Sequence, residues 1–186
     1  GINPLTVPIA KVDRIIMFID IFSFTSLSES LPPEDLIKLL NTWLGICSRA
    51  VTAHGGEVNK FMGDGMLAYF DVKQADEAIQ SCVDIIECME ELHAVSAEDD
   101  PEKLLYCGFG LAQGAVLEGN MGSAVKTDYT LIGDAVNTAA RLESLTRTLG
   151  RTVVVSEAVK NSTRKAWSFT GLGSHDLKGK EKTTLV

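Results

Sequence analysis

Apolar residues run almost unbroken from Ile15 to Ile21, and Asp20 is the one acid inside that run. Such continuity predicts a central strand over 11–21. Residues 1–10, with Pro4 and Pro8, read as a linker. Helix-start signals gather at Ser28-Glu-Ser-Leu-Pro-Pro-Glu, with prolines near the first turn. Leu36, Leu39, Leu40, Trp43, Leu44, Cys47 and Val51 then recur at helical spacing until His54-Gly55-Gly56. Two short strands, 57–61 and 66–70, flank Met62-Gly63-Asp64-Gly65 and predict a hairpin.

A second helix follows over 74–93, then a polar loop over 96–101. A long strand is expected over 104–116, interrupted by Gly108, Gly110 and Gly114. Residues 118–128 read as a glycine-bearing excursion and 130–132 as a short extended piece. A third helix spans 134–148, with Gly150 as its stop. A strand at 151–155, a short helix at 156–161 and an edge region at 167–177 complete the chain. Strand, helix, hairpin, helix, strand is the opening of a ferredoxin-like arrangement, here with strands and helices appended. The expected class is α+β, with helices over one face of a mainly antiparallel sheet.

Composition narrows the function classes. The 186 residues carry a net charge of -8 with no basic tail, which argues against nucleic acid as a partner. Residues 84–102 hold eight acids and no Lys or Arg, whereas 126–182 holds ten of the seventeen basic residues. That asymmetry suits either an anionic small molecule or a merely solvated surface. Cys47, Cys82, Cys88 and Cys107 form no CxxC pair and sit among apolar neighbours, so they read as core hydrophobes and zinc is not expected. No membrane-length apolar run and no signal peptide are visible, and a reduced cytoplasmic setting follows. The chain opens without Met and stops in an extended segment, which implies a domain from a longer protein.

The chemistry centres on Asp20 and Asp64. A carboxylate inside an apolar strand is costly unless something pairs with it. In a ferredoxin-like sheet the first strand and the hairpin are neighbours, so the two carboxylates would lie close and repel. A divalent cation removes that cost, and carboxylates with backbone oxygens are donors for Mg²⁺ or Mn²⁺. Ile21 would add its backbone carbonyl. Two such ions roughly 3.5–4 Å apart can activate an attacking oxygen and steady a leaving one. For Asp64 alone, service as a plain turn residue is an equal alternative; Asp20 has no turn to serve.

FIDIFSFTSLSE (18–29), GGEVNKFMGDGMLAYF (55–70), YTLIGDAVNTAARLE (129–143) and LKGK (177–180) resemble the class III nucleotidyl cyclase catalytic domain, from about Lys11 to the end. GINP and GNMGS look most like the cyclase domains of bacterial light-regulated adenylate cyclases, where a flavin-binding sensor lies upstream. The resemblance implies cyclisation of a nucleoside triphosphate to a 3′,5′-cyclic monophosphate and pyrophosphate. It also implies a head-to-tail homodimer with two shared sites and two Mg²⁺ or Mn²⁺ ions per site. One chain supplies Asp20 and Asp64 and the other the base and phosphate contacts.

By the same resemblance Asn137 positions the ribose and Arg141 faces the α-phosphate. The two are four apart on a helix and so share a stripe. An ion pair of Arg141 with Glu143 or a neighbouring acid, and an ordinary polar role for Asn137, stand as alternatives. Lys178 matches the lysine that grips the outer phosphates, with Lys180 able to share the task; Lys126 is a further phosphate candidate. No GxxxxGK[ST] loop is present. Lys60 and Thr130 fall at the base-reading positions. An ammonium can donate to adenine N1 and a hydroxyl can accept from N6, whereas guanine reverses both demands. ATP is therefore the expected substrate. The rivals are a metal-dependent phosphodiesterase or polymerase palm, a nucleotide-binding or dimerisation module without catalysis, and a guanylate cyclase, which Lys60 opposes.

Overall fold

The fold rests on one strand used on both sides. In the computed structural model, which describes residues 9–22, 24–98, 100–122, 126–175 and 183–185, β1 (Ala10–Ile21) lies mid-sheet. Its odd residues Ile15, Met17, Ile19 and Ile21 fill a core with Trp43 and Cys47 of α2 (Pro33–Ala53) and Ile79, Cys82 and Ile85 of α3 (Ala75–Val95). Its even residue Ile16 enters a second core with Ala135, Ala139 and Leu142 of α4 (Asp134–Leu149). Side chains alternate across a strand, so a strand covered on both faces needs apolar residues at both parities. The expectation of helices over one face is thus corrected: α2 and α3 cover one side and α4 the other.

The sheet runs β2 (Glu57–Met62), β3 (Gly65–Asp71), β1, β4 (Cys107–Gly122), β5 (Thr127–Ile132). The first four strands are antiparallel in the ferredoxin-like order, as the α+β reading expects. The free edge of β4 is divided. Its start pairs in parallel with β6 (Val153–Val155), and its end pairs with β5. The stretch 118–128, expected to be an excursion, is therefore largely a two-stranded arm: Glu118 to Gly122 pair with Leu131 back to Thr127. Glycines at 119 and 122 weaken the strand pattern without stopping the ladder. Arg14 clamps the arm by donating from Nε and Nη2 to Glu118 at 2.9 and 2.7 Å.

Two further readings are amended. The helix entry expected at 28–34 is met at Pro33, where α2 starts behind Pro32, whose ψ of 143° is extended, but residues ahead of it form a helix of their own, α1 (Phe24–Ser30), that was not expected. Proline pushes the residue before it out of helical geometry, and Pro32 precedes Pro33. The expected edge region 167–177 contributes a strand β7 (Gly173–His175) that pairs with β8 (Thr183–Leu185) in a small separate sheet. The segment ahead of it is tied to α3 by buried Asp76, which accepts from the Arg164 and Lys165 amides at 3.0 and 3.1 Å and from Trp167 Nε1 at 2.8 Å. Between Val155 and that segment lies the short α5 (Glu157–Ser162).

Gly110 sets the height of α4. A Cβ there would collide with the Ala139 carbonyl and the Glu143 amide, so the helix lies directly on β4. Cys47, Cys82 and Cys107 are buried and free and Cys88 is half-buried; burial pushes the Cys107 thiol up to about 12. Among the described residues no helix is long and apolar enough to cross a membrane.

Candidate active site

The register of β1 against β3 brings the two aspartates together. Asp20 pairs with Gly65, the residue after Asp64. Met62 pairs with Gly65 across a two-residue turn, and Gly63 at φ 66° supplies the left-handed conformation such turns require. A Cβ on Gly65 would come within 3.4 Å of Asp20 Oδ1, so glycine keeps that carboxylate accessible. Burial raises the Asp64 pKa, and the nearby charge and side-chain hydrogen bond of Asp20 raise it further. Two carboxyls in each other's field behave this way.

A cation already stands on Asp20. Arg147, at the last turn of α4, donates from Nη2 to Asp20 Oδ2 at 2.8 Å, and the same nitrogen lies 3.5 Å from the Ile21 carbonyl oxygen. Its Nη1 is 3.4 Å from Glu143 Oε1, one turn back on the helix. The guanidinium carbon lies 5.1 Å from the Phe22 ring centroid. Glu143 is buried, and its pKa rises to about 7, chiefly by burial; Arg147 opposes the rise, while Asp20 and Asp64 add to it. The donor set expected for a divalent cation, the Asp20 carboxylate with the Ile21 carbonyl beside Asp64, therefore fits positive charge. Among the described residues no three His, Cys, Asp or Glu side chains are grouped to hold a metal, so the cradle is two carboxylates and a backbone oxygen.

Asn137 and Arg141 lie on the outward side of α4, one exposed and one half-buried, and neither makes a side-chain hydrogen bond or ion pair among the described residues. Glu143, one alternative partner for Arg141, faces Arg147 instead. Residues two apart on a helix do not face each other, whereas residues four apart do. Arg141 precedes Arg147 by six residues, about 9 Å along the axis, and Asn137 by ten, about 15 Å. Their stripe is not the one that meets Asp20.

Lys60 and Thr130 come from opposite ends of the sheet path, yet the structure brings their neighbours together: Asn59 Nδ2 donates to the Tyr129 carbonyl at 2.8 Å. Both side chains are half-buried, and the Thr130 hydroxyl donates to the Asp128 carbonyl at 3.3 Å. Lys126, exposed ahead of β5, has Asp128 Oδ2 at 3.5 Å. Lys178 and Lys180 lie outside the described residues. A cavity of about 350 Å³ lies elsewhere, lined by Ile79, Val83, Val153, Trp167 and Phe169 among others, and contains none of these site residues. Sequence reasoning missed Asn59, Glu143 as a site residue, and Arg147. The signal for Arg147 was its four-residue spacing from Glu143.

The sequence profile of the adenylate and guanylate cyclase catalytic domain matches residues 8–186, so the chain belongs to that family. Among solved structures it resembles a bacterial light-regulated adenylyl cyclase at 45% identity and TM-score 0.94, covering 100% of this chain and 54% of that one. It also resembles a guanylyl cyclase at 28% identity and TM-score 0.82, covering 95% of this chain and 91% of that one. An adenylate cyclase of Anabaena cylindrica is 30% identical over 91% of this chain, which spans 35% of that relative's length.

Proposed function

We propose that residues 11–186 form an adenylate cyclase domain that converts ATP to 3′,5′-cyclic AMP and pyrophosphate at sites shared between two head-to-tail copies. The observation that carries the reading is the apposition of Asp20 and Asp64, with the Ile21 carbonyl beside them. Asp20, Asp64 and the Ile21 carbonyl would hold Mg²⁺ or Mn²⁺, two ions per site. Bound there, the ions would lower the proton affinity of the ribose 3′-hydroxyl and neutralise phosphate charge.

The rest falls to side chains. The 3′ oxygen attacks the α-phosphorus, its proton is released, and the bond to the β-phosphate oxygen breaks. Asn137 from the second copy holds the ribose. Arg141 beside it meets the charge that develops on the α-phosphate oxygens, where electrostatic stabilisation counts most. Lys178, with Lys126 as a further candidate, engages the phosphates. Lys60 donates to adenine N1 and Thr130 accepts from N6, which favours ATP over GTP. The Asn59 bond to the Tyr129 carbonyl supports this pairing. The open stripe of Asn137 and Arg141, pointing away from the chain's own Asp20, supports a site completed by another copy. The likeness to a bacterial light-regulated adenylyl cyclase, of which this chain covers 54%, supports a regulatory sensor domain in the whole protein.

Mixing Asp64→Asn and Arg141→Ala chains tests this. Each variant alone should be nearly inactive. Their heterodimer rebuilds one of two equivalent sites, so random exchange should restore about a quarter of wild-type cyclic AMP formation. No recovery despite proven subunit exchange would overturn the shared site.

A further inference from the structure

The three expected metal donors and the Arg147 side chain compete for the same space. One nitrogen of the guanidinium bonds the Asp20 carboxylate and approaches the Ile21 carbonyl, two of the three donors assigned to the cation above. Its other terminal nitrogen faces Glu143, whose Oε1 is buried with no hydrogen-bond donor, at an ion-pair distance of 3.4 Å. The Arg147 side chain is 41% exposed and Asp20 29%, so the arginine has open space to move through, while Glu143 is only 8% exposed and stays fixed.

Two carboxylates, from Asp20 and Glu143, therefore contact one cationic side chain, and Asp64 lies within its field. Like charges this close are costly in a partly buried setting, and Arg147 offsets that cost when no other cation is present. A divalent ion on Asp20 and Ile21 cannot coexist with the guanidinium on the same oxygens. Glu143, four residues back on the same helical stripe, is the partner left for it.

We propose that Arg147 is a positioning residue that occupies the cation site of Asp20 and Ile21, yields it to the divalent metal, and transfers to Glu143 as it does so. The inference rests on the two-aspartate metal reading above. Arg147 then sets metal affinity without touching substrate. It offsets the Asp20 charge before loading, and its contact with Glu143 strengthens upon loading.

Mn²⁺ binding to the 186-residue chain in the absence of nucleotide, followed by water-proton relaxation, tests this without reference to turnover. Arg147→Gln should bind Mn²⁺ roughly tenfold more tightly, because a charge-assisted contact no longer competes. Arg147→Lys keeps the charge but cannot span Asp20 and Glu143 with one planar fork, so it should give a smaller gain and guards against a folding defect in the glutamine variant. Glu143→Gln removes the alternative partner and should weaken binding several-fold. The double variant should return to the Arg147→Gln affinity.

Weaker or unchanged binding in both Arg147 variants would overturn competition. A double variant as weak as Glu143→Gln would make Glu143 a metal donor and overturn the transfer. Asp20→Asn is the separate control. It should lose Mn²⁺ binding, and wild-type binding in that variant would remove the two-aspartate site and this inference with it.

Discussion

The Asn59 side chain donates to the Tyr129 backbone and so ties β2 to β5, strands that lie at the two ends of the sheet path. The residues that follow, Lys60 and Thr130, are the proposed readers of the purine. A sheet cannot join its own ends by ladder pairing unless it closes. Here one side-chain bond substitutes for that closure. Asn59→Leu keeps the volume and removes the bond. It should raise the KM for ATP about five-fold and narrow the preference over GTP, with kcat little changed. Product chromatography with both nucleotides reads this, and an unchanged nucleotide preference would separate Asn59 from base selection.

Arg141 has no partner among the described residues. Its proposed counter-charge arises only in the transition state. Arg141→Ala should therefore lower kcat far more than it raises KM. Steady-state kinetics at saturating ATP and metal would show this split, and a loss confined to KM would contradict the assigned role.

Asp76 anchors the segment 164–167 to α3. Burial alone would raise its pKa, but the hydrogen bonds from Trp167 and the Arg164 and Lys165 amides outweigh burial and hold it below the ordinary 3.8. The ionised form is thus favoured by folding. Its contribution is fully present above pH 3.8 and is lost as pH falls through the lower folded value. Asp76→Asn should cost roughly 2–3 kcal/mol at neutral pH, with the gap closing in acid. Urea unfolding of both proteins at several pH values measures this.

Gly110 has the Ala139 carbonyl and the Glu143 amide where a Cβ would stand, whereas Gly171 has nothing within 4 Å. Gly110→Ala should destabilise by about 3 kcal/mol and depress activity, because α4 carries Asn137, Arg141 and Arg147 together. Gly171→Ala should change stability by less than about 0.5 kcal/mol. Equal melting temperatures for the two variants would mean that α4 is not seated by Gly110.

The central strand, the hairpin and Asp20 were legible because each rests on short-range pattern. An acid in an apolar run stands out whatever the fold. The arm 118–128 was not, since glycines at 119 and 122 break the alternation that marks a strand, and its pairing depends on a partner strand. The start of α2 was written in Pro32 and Pro33, which stand at its first turn, whereas the seven-residue α1 ahead of it is too short to show a helical period. Arg147 was hidden for a different reason. Its helical neighbour Glu143 is readable at four residues, but Asp20 lies 127 residues away, and only the height of α4 above β4 brings the two together.

In the proposed dimer a single helix works for two customers. The outward stripe of α4, with Asn137 and Arg141, serves the partner's aspartates, and its last turn, with Arg147, serves its own. No change along α4 is private to one site. Duplication of the gene would lift that constraint. One copy could keep the aspartates and Arg147 while losing Asn137 and Arg141, and the other could do the reverse. The pair would retain one working site and free the second for drift, so the present symmetry is a state from which asymmetric descendants are only a few substitutions away.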